Sequence, residues 1–496
     1  MSFSIATFPS LARAVRGSLL CVMALLSVAL GGMLALSEAG RRPGTAEPVD
    51  VVIVGAGWAG MAAADSLARA NVSFVVLESS NRTGGRSHAI TFGDSSVWRG
   101  VVERGSNWVS GVAPPGVQKG GAGGVAKGMK HVPWENPVYT LAKQVGLSMA
   151  RIPGSADGNM SGYNAVYTSG GDINGDPGGR IRTRGNAALD CLNSSWARKA
   201  PKTEPVREGL RHCGWVPHTE EEFAVDWAMS GEDANGEPAR RESLVSFDPD
   251  ASYQWWGPDD QFVTDQHPRG FARMVDHMVR DTVPPGDPRV MLNSTVTKMA
   301  YDCSGVAVST KDGRMFQAQQ VISTLPLGVL QRNHTTMFEP PLPEKQAELL
   351  SPDSHFLMGN LTHVVIQFPK IWWDDDIPKW LSANKGSNLT AAGGPDGGGV
   401  NAAGDFSLWH NLNHKSILPG SHTLLTFLGD PQSTVYEGLP DAQVQAAVVQ
   451  RLRLQHPRVD IPEPSAFFIS RHGYDINSYG TSLQASAPCS LAQLAH

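Results

Sequence analysis

Residues 50–78 read DVVIVGAGWAGMAAADSLARANVSFVVLE. The apolar run 50–54 predicts a buried strand, the alanine-rich stretch 58–70 a helix, and 73–78 a second strand. A strand, helix and strand in this order form a βαβ unit, which calls for a parallel sheet and an α/β fold. Between first strand and helix stand Gly55, Gly57 and Gly60 in the spacing GxGxxG. Gly55 permits the tight turn, Gly57 lets the backbone approach a pyrophosphate, and Gly60 lets the helix pack on the strand. The helix N-terminus then faces the phosphates. Glu78 closes the second strand, where a carboxylate accepts hydrogen bonds from ribose hydroxyls.

The residues just after Glu78 separate FAD from NAD. Arg82, Gly84, Gly85 and Arg86 form a glycine pair flanked by basic residues, suited to a second phosphate-contacting loop.

The chain has 496 residues, 41% hydrophobic and 18% charged, so it has material for a sizeable core and is not a disordered chain. The 53 glycines and 34 prolines lack a period and predict long loops. A net charge of −6, without zinc-finger spacing or a basic patch, argues against a nucleic-acid partner. The histidines are scattered, with no HExxH, so no metal site is expected; no GxSxG appears either.

Residues 17–37 carry no charge and follow Arg13 and Arg16. They read either as a cleaved secretory signal, removing residues 1–39, or as an uncleaved signal anchor in a membrane. Both readings place the remaining chain in the secretory pathway, luminal or extracellular. Eight Asn-x-Ser/Thr triplets, at 71, 81, 159, 193, 293, 333, 360 and 388, fit that route. Cys191 and Cys213 are expected as a disulfide in an oxidising compartment, two buried thiols being the alternative.

Farther along, 111–130 and 153–186 read as glycine-rich loops, 131–150 as helical, and 186–280 as a second lobe. Residues 289–325 and 361–368 read as strands, 384–404 as a Gly/Ala loop, 440–453 as a helix and 464–470 as a strand.

Several further stretches share one likeness: Gly105-Ser106-Asn107-Trp108, Trp134-Glu135-Asn136-Pro137, VISTLPLGVL at 321–330, FEPPLP at 338–343, and Phe368-Pro369-Lys370 with Trp372-Trp373. With the opening motif they make the chain resemble the flavin-containing amine oxidases, polyamine-oxidase type, from about residue 49 to 485. The resemblance implies an α/β, two-lobed fold: a Rossmann-type FAD domain assembled from separated segments (49–150 and 286–345) and a sheet-and-helix substrate domain (151–285 and 346–485). It implies hydride transfer from an amine's α-carbon to flavin N5, hydrolysis of the imine, and reoxidation by O2 with release of hydrogen peroxide. It carries cofactor roles onto Asn107 and Trp108, and puts the backbone of Val296 against the adenine.

The chain also departs from that pattern. Where the family often holds a lysine near flavin N5, this sequence has His363, which could hold the same water and is expected to titrate near neutral pH. Ser110 stands for an acidic residue, and His472 and Ser482 for aromatics. A secreted L-amino-acid oxidase is a rival reading, although no arginine suited to a substrate carboxylate is identifiable. A non-catalytic relative is another. After Gly480 only 16 residues remain, 486–496 forming an atypical C-terminus without the family's closing strand and Gly-Glu pair. The expectation is a truncated form with weak FAD retention.

Overall fold

The structure, a computed structural model, describes residues 48–112, 135–152, 165–167, 179–192, 204–229, 259–351, 356–383 and 405–485, with Asp176 and Ser354. The expectations for 17–37, 111–130 beyond Val112, 384–404 and 486–496 lie outside the described residues. Among the described residues no helix is long and apolar enough to cross a membrane.

The opening stretch folds as β1 (Val49–Val54), α1 (Trp58–Arg69) and β2 (Phe74–Leu77). β1 lies between β2 and the strand Met315–Ser323 and is parallel to both, with Ile53 opposite Val76 and Ile322. Val290–Met291 extends the sheet beyond β2, while Gly305–Thr310, Val296–Asp302 and Phe338–Glu339 extend it on the other side, giving seven strands. One sheet is thus assembled from segments more than 200 residues apart in sequence, and the Rossmann-type βαβ unit supplies its fifth and sixth strands. Val52, Ile53 and Val76 are fully buried. Burying each such side chain contributes about 1.5–3 kcal/mol.

The helix Arg273–Val279 supplies Val275 and Val279 to the core between β1, β2 and α1. The expected domain division at 285 therefore falls after a helix whose packing partners are in the nucleotide lobe.

A second sheet of six strands runs Ala466–Ile469, Thr362–Gln367, Thr423–Leu428, Leu408–Asn411, Lys379–Ser382 and Ala165–Tyr167. One face carries Trp380, Trp409 and Leu424 against the helix Asp441–Gln455. The other carries Val365, Leu381, Leu425 and Phe427 against the helices Arg180–Cys191 and Val206–His212. Both faces are covered, so apolar residues occupy both phases of the strands.

Two local expectations are corrected. Residues 153–186 are not all loop. Ala165–Tyr167 pairs parallel with Lys379–Ser382, and Arg180–Cys191 is helical because Ala188, Leu189 and Leu192 bury one stripe. A strand does follow Gly480: Ser482–Ala485 pairs antiparallel with Phe356–Gly359. Its isolated apolar residue, Leu483, is 52% exposed, which is why the pattern was silent. Cys191 and Cys213 are joined, their Cα atoms 5.8 Å apart, so the two-thiol alternative does not hold.

Candidate functional site

The glycine turn is fixed by steric necessity. Gly55 has φ +103°, and a Cβ there would lie 2.7 Å from Thr324 Oγ1. A Cβ on Gly60 would lie 1.8 Å from the Gly55 carbonyl oxygen. At Gly57 the nearest atom to an added Cβ is Gly85 Cα, 3.9 Å away, so here the missing side chain leaves room rather than relieving a clash. The second loop lies directly on the first: Gly84 N–H donates to the Ala56 carbonyl at 2.9 Å. Thr324, in the 321–330 stretch, donates its hydroxyl to the Val54 carbonyl at 2.8 Å and so buttresses the turn.

α1 has Gly57 as its N-cap, with no capping side chain and no acid in its first turn, leaving its first N–H groups for an anion. Glu78 is 7% exposed. Its carboxylate accepts from Ala56 N–H at 2.7 Å and from the N–H and hydroxyl of Ser80 at 2.8 and 2.7 Å, which hold it in one orientation. Its backbone carbonyl accepts from Ser294 N–H, which brings the following strand and the buried Val296 alongside.

Arg82 and Arg86 lie in the second loop. Arg82 donates weakly to the Thr83 and Ser87 carbonyls at 3.4 and 3.5 Å, and burial pushes its pKa down. Arg86 donates to the Thr481 carbonyl at 2.5 Å, burial pushes its pKa down as well, and among the described residues no carboxylate pairs with it. A sequestered guanidinium without a counter-anion, beside an uncapped helix N-terminus and a glycine cradle, fits a bound diphosphate. The FAD expected from the sequence therefore suits the residues present.

Toward the second lobe the polar groups become buried and unpartnered. Asn107 is 5% exposed and its Oδ1 has no partner among the described residues. Trp108 packs edge-on against Phe262 and His410, with centroids 5.0 and 5.8 Å away. Asn136 caps the helix Pro137–Gln144 and donates to the Ser110 carbonyl at 2.5 Å, tying that motif to the strand Trp108–Val112.

His363 is 4% exposed, in the strand Thr362–Gln367. Its ring lies 4.9 Å from Phe427 and 6.4 Å from His472, and its Nδ1 has no partner among the described residues. Burial, then the neighbouring His472, pushes its pKa down to about 3, the Glu103 carbonyl opposing. The expectation of titration near neutral pH is thus corrected: this imidazole is neutral throughout the physiological range. His472 donates from Nε2 to the Arg104 carbonyl at 3.0 Å and is likewise pushed down to about 4 by burial.

Sequence reasoning missed Glu103 and His410. Glu103 is 4% exposed, accepts from Phe271 N–H at 2.6 Å and has its other oxygen unpartnered. Burial pushes it up to about 8. It ends an apolar run, VVE, where the only signal was an acid in a strand. An open groove of about 640 Å³ lies elsewhere, at the edge of the sheet beside Asp50, Ser73, Tyr301 and Gln319. Among the described residues no cluster of His, Cys, Asp and Glu is placed to hold a metal.

Comparison with known proteins places these features in a wider set. The family profile described as "Flavin containing amine oxidoreductase" matches residues 236–491, and that described as "NAD(P)-binding Rossmann-like domain" matches residues 53–118. Polyamine oxidase 6 of Oryza sativa subsp. japonica is 27% identical over 457 residues, covering 88% of this chain and 82% of that protein. Polyamine oxidase 1 of Zea mays is 26% identical, covering 93% and 84%. Lysine-specific histone demethylase 2 of Homo sapiens is 24% identical, covering 86% and 46%. The solved structure of putrescine oxidase, wild type bound to putrescine, matches in fold with TM-score 0.59 at 18% identity, covering 89% of each chain.

Proposed function

The chain belongs to the flavin-containing amine oxidoreductase family, uses FAD and oxidises amines, and from that premise we propose that its substrate is a polyamine-type amine, converted to an imine with O2 as acceptor and release of hydrogen peroxide. The polyamine part of this reading is supported by the likeness to the two polyamine oxidases over most of the chain, and the FAD part by Arg86, a partly buried cation with no carboxylate partner among the described residues, next to the glycine turn.

Each candidate residue takes a role its surroundings support. Gly55, Gly57, Gly60, Gly84 and Gly85 offer backbone to the diphosphate. Arg82 and Arg86 neutralise it. Glu78, already oriented by Ala56 and Ser80, keeps lone pairs for ribose hydroxyls. The backbone of Val296 would meet the adenine, and Asn107 and Trp108 would contact the cofactor. When bound, FAD supplies the two-electron acceptor for the substrate C–H bond and passes the electrons on to O2.

The chain's own contribution is to place the amine. An amine gives up hydride only from its unprotonated form. A histidine fixed in its neutral state offers Nδ1 as an acceptor, able to take a hydrogen bond from the amine N–H or from a water. The ring wall of Trp108 and Phe427 receives the alkyl chain.

We assign segments 49–150 and 286–345 to the FAD lobe and 151–285 and 346–485 to the substrate lobe, with Arg273–Val279 packed on the former. A secretory destination is proposed as well. The Cys191–Cys213 bridge supports it, since such bonds persist in oxidising compartments. Glycosidase treatment of protein from a eukaryotic host should shift its mobility, and a cytosolic, unglycosylated product would reject that destination.

The decisive experiment is spectroscopic. The purified, flavin-loaded chain should bleach anaerobically under a polyamine and form hydrogen peroxide when air is admitted. Arg86→Leu should retain at least tenfold less FAD in a fluorescence titration. Failure of polyamines, monoamines and L-amino acids alike to bleach the flavin would overturn the proposal.

A further inference from the structure

Resting on the placement of His363 at the oxidation site, we propose that Glu437 is a positioning residue for the reaction. From the far face of the second sheet its carboxyl group holds Thr362 and Gly473, and through their backbones it fixes the imidazoles of His363 and His472.

Successive side chains of a strand point to opposite faces. In the strand Thr362–Gln367, Val364 and Ile366 pack on the face covered by the helix Asp441–Gln455, whereas the His363 ring packs on Phe427, which belongs to the other face. Thr362 shares the phase of Val364 and so lies on the face away from the His363 ring. It is fully buried and donates its hydroxyl to one Glu437 oxygen at 2.6 Å. The other Glu437 oxygen accepts from Gly473 N–H at 2.8 Å. Glu437, itself buried, therefore joins the residue before His363 to the residue after His472. A Cβ on Gly473 would lie 2.9 Å from this carboxyl oxygen and 2.6 Å from Asn360 Nδ2, so a glycine is what lets the main chain come this close. Arg471 donates to the Glu437 and Leu439 carbonyls at 3.0 and 2.7 Å, which holds the end of the helix Gln432–Glu437 on the same segment.

The two rings are held at their own ends. His472 donates from Nε2 to the Arg104 carbonyl at 3.0 Å, and His363 donates to the carbonyl of the preceding residue, Glu103. With its proton spent on that peptide, His363 presents Nδ1 as an acceptor, buried and without a partner among the described residues. The ring centroids stand 6.4 Å apart. That separation follows from the backbone spacing of Thr362 and Gly473, which one carboxyl group sets. A misplacement on the order of 1 Å at the reacting atoms costs about a hundredfold in rate.

The test uses the flavin-loaded full chain. Thr362→Val removes one arm of the bridge at constant shape, Thr362→Ser keeps the hydroxyl, and Glu437→Gln keeps the shape but accepts through only one of its two terminal atoms. In anaerobic stopped-flow reduction by spermidine, Thr362→Val and Glu437→Gln should each lower the limiting rate of flavin reduction about tenfold at about the same apparent Kd, and Thr362→Ser should recover most of the rate. The double variant should be no slower than the slower single one, because both cut the same bridge. A rate unmoved in Thr362→Val, an equal loss in Thr362→Ser, or losses that multiply in the double variant would overturn the proposal. Circular dichroism checks folding, and whichever of Thr362→Val and Glu437→Gln folds decides. If spermidine leaves the wild-type flavin oxidised, the substrate reading fails, and 15N NMR of histidine-labelled protein decides the positioning role by itself. The His363 signals, assigned by their loss in His363→Gln, should show a protonated Nε2 and a bare Nδ1 at neutral pH in the wild type and Thr362→Ser, and exchange between tautomers in Thr362→Val. An unchanged spectrum in Thr362→Val rejects the bridge.

Discussion

Replacing Glu103 by glutamine should stabilise the protein, and increasingly so as pH rises. The Glu103 carboxyl accepts from Phe271 N–H at 2.6 Å, and its second oxygen is buried without a partner among the described residues. Burial moves it from 4.5 to about 8, with Phe271 N–H opposing and Asp265 adding to the shift. The sign comes from linkage. Above pH 4.5 the unfolded chain releases this proton while the folded chain keeps it until about pH 8, so the folded state binds more protons and stability falls across that window. At about 1.36 kcal/mol per unit, the loss accumulates to about 5 kcal/mol at the alkaline end. Glu103→Gln keeps an acceptor for Phe271 and has no proton to lose. Thermal or denaturant unfolding of both proteins at acid, neutral and alkaline pH should show them alike below pH 4.5, with the variant several degrees more stable near pH 8.5. Glu103→Leu would instead leave Phe271 N–H unsatisfied and lose about 1–3 kcal/mol at every pH. A Glu103→Gln advantage that is absent, or that does not change with pH, would refute the reasoning.

Three other outcomes are expected. Gly57→Val should fold, because a Cβ at Gly57 finds 3.9 Å of space, yet purify colourless, whereas Gly60→Val, whose Cβ meets the Gly55 carbonyl at 1.8 Å, should fail to give soluble protein. Normal flavin content in Gly57→Val would contradict the cradle. His363→Gln should lower the rate by tenfold or more without changing the inflections of the rate–pH profile between pH 5 and 9, because the wild-type imidazole, held at about 3, does not titrate there. An inflection near pH 6.5 lost in the variant would show otherwise. Cys191→Ser with Cys213→Ser opens a link between residues 22 apart and should lower unfolding stability by about 3 kcal/mol. Unchanged denaturation midpoints would rule out a stabilising role.

The nucleotide half of the site was legible because its constraints are local. Gly55, Gly57, Gly60 and Glu78 act through backbone space and one carboxylate within a single βαβ unit, and the spacing of such residues is written in the sequence. The substrate half was not. His410 comes between Trp108 and Phe427 only because strand register sets it there, a relation made by pairings between distant strands. The ionisation of His363 was misjudged for the same reason: residue type suggests a neutral-range titration, but burial, a property of the folded lobe, overrides it. The strand at Ser482–Ala485 escaped notice because pairing with Phe356–Gly359, rather than an apolar period, makes it a strand.

The single hydrogen bond from Arg86 to the Thr481 carbonyl has a consequence for assembly. It is reinforced by Arg104 with Asp475 at 3.3 Å, by His472 Nε2 on the Arg104 carbonyl, and by Ser79 on Asn477, so the return segment 472–481 is stitched to the phosphate loops by four side-chain contacts. Arg86 therefore sits at once beside the glycine turn and among the contacts that hold segment 472–481. Coupling of this kind is reciprocal. A diphosphate that immobilises the guanidinium also tightens the seam, and a loosened seam returns weaker hold on the diphosphate. With its guanidinium on a diphosphate, Arg86 would couple cofactor loading to the anchoring of segment 472–481, and the holoprotein should resist proteolysis there far longer than the apoprotein does.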